Sequence, residues 1–174
     1  MTEQAPASPE ELDAIEQLID DWLVTQAVAN PTIDAVDRGG VGQRRWYVRI
    51  RGEEKDVWTI WFTLGQRTLR FETYLMPAPE GDEARFYEHL LRRNRGLTGM
   101  ALEIGDEGAI FLAGSVPVEH LDEPAVDRIL GSMYAYVELI FRPALRIGFA
   151  GRVGVANPPT EGSVANPPPP GVER

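Results

Sequence analysis

Apolar residues recur every three or four positions in three stretches of this chain and every second position in five others. The first helical stretch is SPEELDAIEQLIDDWLVTQ. Ser8 can cap it, Pro9 suits the first helical position, and Glu11 completes a capping box. Leu12, Ile15, Leu18, Ile19, Trp22 and Leu23 form one stripe, with Asp13, Glu16, Asp20 and Asp21 opposite. ANPT, at residues 29–32, stops this helix.

Three alternating runs follow the loop DRGGVGQR. In RWYVRIR, Trp46, Val48 and Ile50 oppose Arg45, Tyr47, Arg49 and Arg51. In VWTIWFTL, Trp58, Ile60, Phe62 and Leu64 oppose Val57, Thr59, Trp61 and Thr63. In RTLRFETYLM, Leu69, Phe71, Thr73 and Leu75 oppose Arg70, Glu72, Tyr74 and Met76. Period-two alternation predicts a sheet with one apolar and one mixed face, and GEEKD and GQ are short enough to make antiparallel hairpins. Asp82 then caps a helix through EARFYEHLLRRN, with Phe86, Leu90 and Leu91 inward and Asn94 or Gly96 ending it. GMALEI and AIFLAGSV make two more strands around GDEG, with Met100, Leu102, Ile104, Ile110, Leu112 and Val116 inward. The last helix buries Val126, Ile129, Leu130, Met133, Val137, Ile140 and Phe141, and Pro143 interrupts or ends it. The predicted order is α-β-β-β-α-β-β-α, an α+β fold with one twisted antiparallel sheet packed against helices. Residues 1–7 read as a flexible N-terminus, 8–147 as the domain, and 148–174, with VANPP twice, as a disordered Pro-rich tail.

The helix ending Leu90-Leu91-x-x-Asn94, the strand from Met100 to Ile104, the acidic turn Gly105-Asp106-Glu107-Gly108 and the strand from Ala109 to Gly114 resemble the YbjN family. That family is similar in fold to the class I type III secretion chaperones, whose element order matches the one read here. The resemblance implies a small, acidic homodimer that holds an extended segment of another protein, in a chaperone-like or regulatory role linked to sensing or stress. It implies no enzymatic activity. It also implies that Leu90 and Leu91 pack the helix on the sheet, that Asn94 helps end it, and that Gly108 shapes the turn.

Composition narrows the chemistry. There is no Cys, which removes thiol catalysis, disulfides and Cys-type zinc sites. Net charge is −10, yet residues 1–37 hold nine of the 27 acids and no Lys or Arg, so the remainder is near neutral. That balance argues against a nucleic-acid partner. No apolar run reaches bilayer-spanning length, and the N-terminal sequence lacks a basic region followed by an apolar one. A cytoplasmic protein with no membrane partner is expected. His89 and His120 read as helix-surface and helix-cap residues rather than ligands. LAGSVP and LGSMY lack the second Gly of a hydrolase elbow, and RGGVGQR lacks the ending of a phosphate loop. The acid pairs Asp20–Asp21, Glu53–Glu54 and Asp106–Glu107 fall on a helix surface and in turns, and RRNR from Arg92 to Arg95 suits a helix C-terminus. No cofactor, metal or catalytic residue is expected.

The mixed face carries the functional expectation. Tyr47, Arg49, Thr59, Trp61, Thr63, Arg70, Glu72 and Tyr74 share it. Aromatic and Arg residues are enriched at protein interfaces, so this face is expected to bind a protein partner or a second copy. The plainer alternative is that a helix of the same chain covers it. A small-molecule sensor or an enzyme with an unrecognised pocket is the rival function.

Overall fold

A computed structural model describes residues 6–151. The expectations for residues 1–5 and 152–174, most of the Pro-rich tail among them, lie outside the described residues. The order is α1 (Pro9–Ala29), β1 (Ile33–Arg38), β2 (Arg45–Arg51), β3 (Val57–Leu64), β4 (Thr68–Met76), α2 (Glu83–Asn94), β5 (Met100–Ile104), β6 (Ile110–Pro117) and α3 (Glu123–Gly148). The strands form one antiparallel sheet in the order β1-β2-β3-β4-β6-β5. The α+β architecture is the expected one, with one strand more than the alternation predicts.

That extra strand is β1, IDAVDR. It lies at the sheet edge and buries only Ile33, so it has no apolar rhythm to read. A register shift between Ile33 and Ala35 makes Asp34 the extra residue of a bulge. Its carboxylate accepts from Arg51 Nε at 2.8 Å and lies 3.6 Å from Arg49 Nη1. The Arg51 hydrogen bond holds the Asp34 carboxyl below its ordinary range.

All three helices send their buried side chains to one face of the sheet. Ile19, Trp22 and Leu23 of α1, Phe86 and Leu90 of α2, and Met133, Val137 and Ile140 of α3 join Trp46, Val48, Ile50, Ile60, Phe62, Leu69 and Phe71 in a single core. The Ser8 capping box at α1 is formed in both directions, and Asp82 and Asp122 cap α2 and α3 through Arg85 and Ala125 amides. α3 runs through Pro143 and continues to Gly148, so that proline neither ends nor breaks it.

The acidic face of α1 is not a bare solvated surface. Arg38 pairs with Glu16 and Asp20, and Arg44 with Glu16 and Asp13. Asp20 also accepts the Trp46 indole N–H at 2.6 Å, and the Arg38 guanidinium lies 4.7 Å from the centre of that ring. β1 and the following loop thus return the basic residues that balance the helix.

Two inward expectations fail together. Leu91 is 71% exposed and Ile104 is 61% exposed. Neither packs α2 or β5 on the core, because both lie on the outer flank where the sheet ends at β5. Asn94 closes α2 as expected and does more. Its amide donates to the Leu102 carbonyl at 3.3 Å, and its oxygen accepts the Leu102 N–H at 2.6 Å. Gly108 shapes the β5–β6 turn at φ +76°, next to Glu107 at φ +58°.

Gly114 of β6 is required by close approach. A Cβ there would sit 2.7 and 2.8 Å from the Phe71 ring and closer still to the Gly99 carbonyl. Gly114→Ala is therefore expected to cost about 1–3 kcal/mol through overpacking, read as a lower urea midpoint at unchanged slope.

Candidate protein-binding face

The face of the sheet turned away from the helices is built by the same alternation that builds the core. One row of cross-strand partners spans all six strands: Asp37, Tyr47, Trp61, Glu72, Ala113 and Ala101. A second row contains Arg45, Thr63, Arg70 and Ser115, and Arg49 faces Thr59 beside them. Tyr74 sits opposite Phe111. All eight expected residues therefore share one face. No helix among the described residues covers it, since the buried residues of all three helices belong to the opposite core.

The eight are not equally accessible. Trp61 and Glu72 were expected on an exposed face and are 4% and 5% exposed. Phe111 is the reason for the first. Its ring centroid lies 6.2 Å from that of Trp61 and 5.7 Å from that of Tyr74, the latter edge-on. Arg70 is the reason for the second, reaching Glu72 Oε2 from Nε at 3.0 Å and from Nη2 at 2.9 Å, and Glu103 at 3.1 Å. Trp61, Glu72, Phe111 and Ala113 are a floor. Tyr47, Arg49, Thr59, Thr63, Arg70 and Tyr74 are the groups that something placed on the face would touch. Phe111 and Ala113 were missed from the sequence, although they alternate with the inward Ile110 and Leu112 and could have been read from that rhythm.

Lys55, the sole lysine of the chain, was also missed. It lies in the β2–β3 hairpin, and its ammonium donates to the carbonyls of Tyr74 and, at 2.9 Å, of Leu75. The Tyr74 and Phe141 ring centroids are 5.1 and 5.4 Å away. Burial pushes the Lys55 amine down to about 7. On the other side of the hairpin, the Glu138 carboxylate accepts the amides of Glu53 and Glu54, and Glu54 pairs with Arg142. These contacts tie the hairpin to α3 and to β4, where the register against β6 shifts between Tyr74 and Met76. They do not line a cleft.

The remaining candidates for chemistry stay apart. His89 Nε2 is buried without a hydrogen-bond partner among the described residues, and burial followed by the charge of Arg93 lowers its pKa. His120 is exposed near Glu119. Among the described residues no three His, Asp or Glu side chains are grouped to hold a metal, and no helix is long and apolar enough to cross a membrane. A cleft of about 310 Å³ lies between α2 and β5, lined by Tyr87, Leu90, Leu91, Asn94, Leu102, Glu103 and Ile104.

Fold and face define a two-layer α+β protein: three helices behind an antiparallel sheet whose other side is covered by no helix among the described residues. The chain belongs to the YbjN family, described as "Putative bacterial sensory transduction regulator", whose model matches residues 12–143. It is 32% identical over 102 residues to uncharacterized proteins of Mycobacterium bovis and Mycobacterium tuberculosis, covering 59% of this chain and 56% of each of theirs. It is 28% identical over 108 residues to one of Mycobacterium leprae, covering 62% of this chain and 59% of that one. The matches thus span little more than half the length of these curated relatives. Among solved structures, the chain is similar to one in the heterodimeric ExoU–SpcU complex of the Pseudomonas aeruginosa type III secretion system, at 16% identity and TM-score 0.45, covering 72% of this chain and 98% of that one. It is also similar to one in the Yersinia pestis type III secretion chaperone SycH in complex with a stable fragment of YscM2, at 10% identity and TM-score 0.47, covering 71% and 96%.

Proposed function

We propose that this chain is a non-enzymatic, cytoplasmic protein-binding module with a regulatory or chaperone-like role, acting as a homodimer and receiving an extended segment of a partner protein on its open sheet face. The observation that carries this reading is the row of residues six strands wide with no helix among the described residues over it. Over a buried floor of Trp61, Phe111 and Ala113, the rings of Tyr47 and Tyr74 offer apolar contact, and Arg49, Arg70, Thr59 and Thr63 offer hydrogen bonds. The family description as a sensory transduction regulator supports a role exerted through other proteins. The rival sensor or enzyme would need a pocket with several converging polar groups. The α2–β5 cleft has three polar side chains in its lining, Tyr87, Asn94 and Glu103, and two of them are engaged: Asn94 with Leu102, and Glu103 with Arg70.

Thr59→Arg places a long charged side chain on this face without touching the helix-side core. It is expected to abolish co-purification of the partner from the native cell while leaving the circular dichroism melt unchanged. Val28→Ser, at an exposed position of α1, is expected to retain the partner. Equal recovery of the same polypeptides by both variants would contradict the proposal.

A further inference from the structure

The β3–β4 ladder stops before its strands do. It runs from Leu64 opposite Leu69 to Trp61 opposite Glu72, although β3 begins at Val57 and β4 continues to Met76. Over those unpaired ends the register of β4 against β6 shifts between Tyr74 and Met76, which bends β4 away from β3. The Lys55 side chain reaches into this opening. Its ammonium donates to the β4 carbonyls of Tyr74 and, at 2.9 Å, of Leu75, with the Tyr74 and Phe141 ring centroids 5.1 and 5.4 Å away. Two more buried polar atoms lie on the unpaired ends, Trp58 Nε1 of β3 and Thr73 Oγ1 of β4. Neither has a hydrogen-bond partner among the described residues.

This setting favours the neutral amine. No carboxylate pairs with Lys55 among the described residues. The acids nearby are engaged elsewhere: Glu138 accepts the Glu53 and Glu54 amides, and Glu54 pairs with Arg142. The phenols of Tyr74 and Tyr134 are both held protonated by burial, and Asp56 is exposed. The cation is therefore met by carbonyl dipoles and rings and by no anion. Burial accordingly lowers the amine to about 7. As a whole residue Lys55 is only half-buried, in a hairpin at the protein surface.

We propose that Lys55, the only side-chain amine of the chain, is a modification site that takes up an acyl group from a small activated donor, an acyl phosphate or an acyl thioester. The neutral nitrogen attacks the carbonyl carbon of the donor and a C–N bond forms. The C–O bond to phosphate, or the C–S bond to the thiolate, breaks and leaves with its electron pair. The nitrogen passes one proton to water. The product is an uncharged amide, which suits a site that penalises charge. Its remaining N–H keeps a donor for one of the two β4 carbonyls. Its new oxygen is an acceptor, on a split whose strands carry two unused donors, Trp58 Nε1 and Thr73 Oγ1. The site adjoins the open sheet face, because Tyr74 belongs to both, yet it does not depend on partner binding there.

The test treats the full chain with acetyl phosphate and, separately, with acetyl-coenzyme A. Acetylation is followed by the mass of the proteolytic peptide that carries Lys55, which separates it from the N-terminal amine. Two references set the scale. One is the same lysine in the urea-unfolded chain. The other is an exposed lysine, Val28→Lys in a Lys55→Arg background. At about pH 7.5, folded Lys55 is expected to react at least about 10-fold faster than either reference with one donor or both. The donor that succeeds tells acyl phosphate from thioester. The rate at folded Lys55 is expected to level off just above pH 7, while both references keep climbing past about pH 9. A smaller ratio with both donors, or a rate at Lys55 that climbs with the references, would overturn the proposal. If Lys55→Arg does not fold, the urea-unfolded wild type decides alone.

Discussion

Trp46→Ala is expected to remove about 3–5 kcal/mol of folding stability. Trp46 is fully buried in β2, paired across the sheet with Arg38 of β1 and Phe62 of β3. Its loss opens a cavity under α1 and also undoes two polar contacts. The Asp20 carboxylate loses the indole N–H at 2.6 Å, and Arg38 loses the ring it covers at 4.7 Å. A domain of this size has about 5–15 kcal/mol in total, so the variant should unfold at a much lower urea concentration. Trp46→Phe keeps most of the apolar volume and loses the N–H donor. It should recover most of the difference, leaving a deficit of about 1–2 kcal/mol. Equal midpoints for Trp46→Ala and wild type would refute this account of how α1 is attached.

The second large effect is a dependence on pH carried by Lys55. Its folded-state pKa is lowered from 10.5 to about 7 by burial. Between those values the unfolded chain binds more protons than the folded one, so stability rises with pH. The cost of holding the buried cation is fully present below about pH 7 and is relieved as pH climbs toward 10.5. The relief amounts to a few kcal/mol at most, since each pH unit crossed between the two values is worth about 1.4 kcal/mol. Lys55→Met has no such proton to lose. Its stability difference from wild type should therefore change steadily between pH 7 and 10, in favour of the wild type as pH rises. The variant also leaves the Tyr74 and Leu75 carbonyls without the ammonium, which sets an offset but not the slope. Urea midpoints of both proteins at four pH values measure it, and parallel curves would rule the effect out.

What could be read in the sequence, and what could not, divides along physical lines. The apolar faces of β2, β3 and β4 followed from alternation because a helix layer covers one side of each, and Trp46, Ile60, Phe62 and Phe71 are all buried as expected. The same alternation placed the eight residues of the open face together. It could not show that Trp61 and Glu72 are shielded, since Phe111 and Arg70 shield them and those contacts depend on strand order. β1 left no apolar rhythm because an edge strand with one buried side chain has none. Leu91 and Ile104 obey helical and strand periods yet face outward, because a period identifies a face and not whether any element lies beyond it. The acids of α1 looked solvated for a similar reason. Arg38 and Arg44, which pair with them, are 22 residues from Glu16 and 31 from Asp13 and come back only through β1 and its loop.

The central claim is that the sheet face opposite the helices is where another protein lies. Incorporating a photo-crosslinking amino acid at Thr63 on that face, and separately at Asp127 on the exposed side of α3, tests it in the native cell. The account predicts one or a few discrete adducts to a different polypeptide from position 63 and none from position 127. Adducts from position 127 with none from position 63 would contradict it.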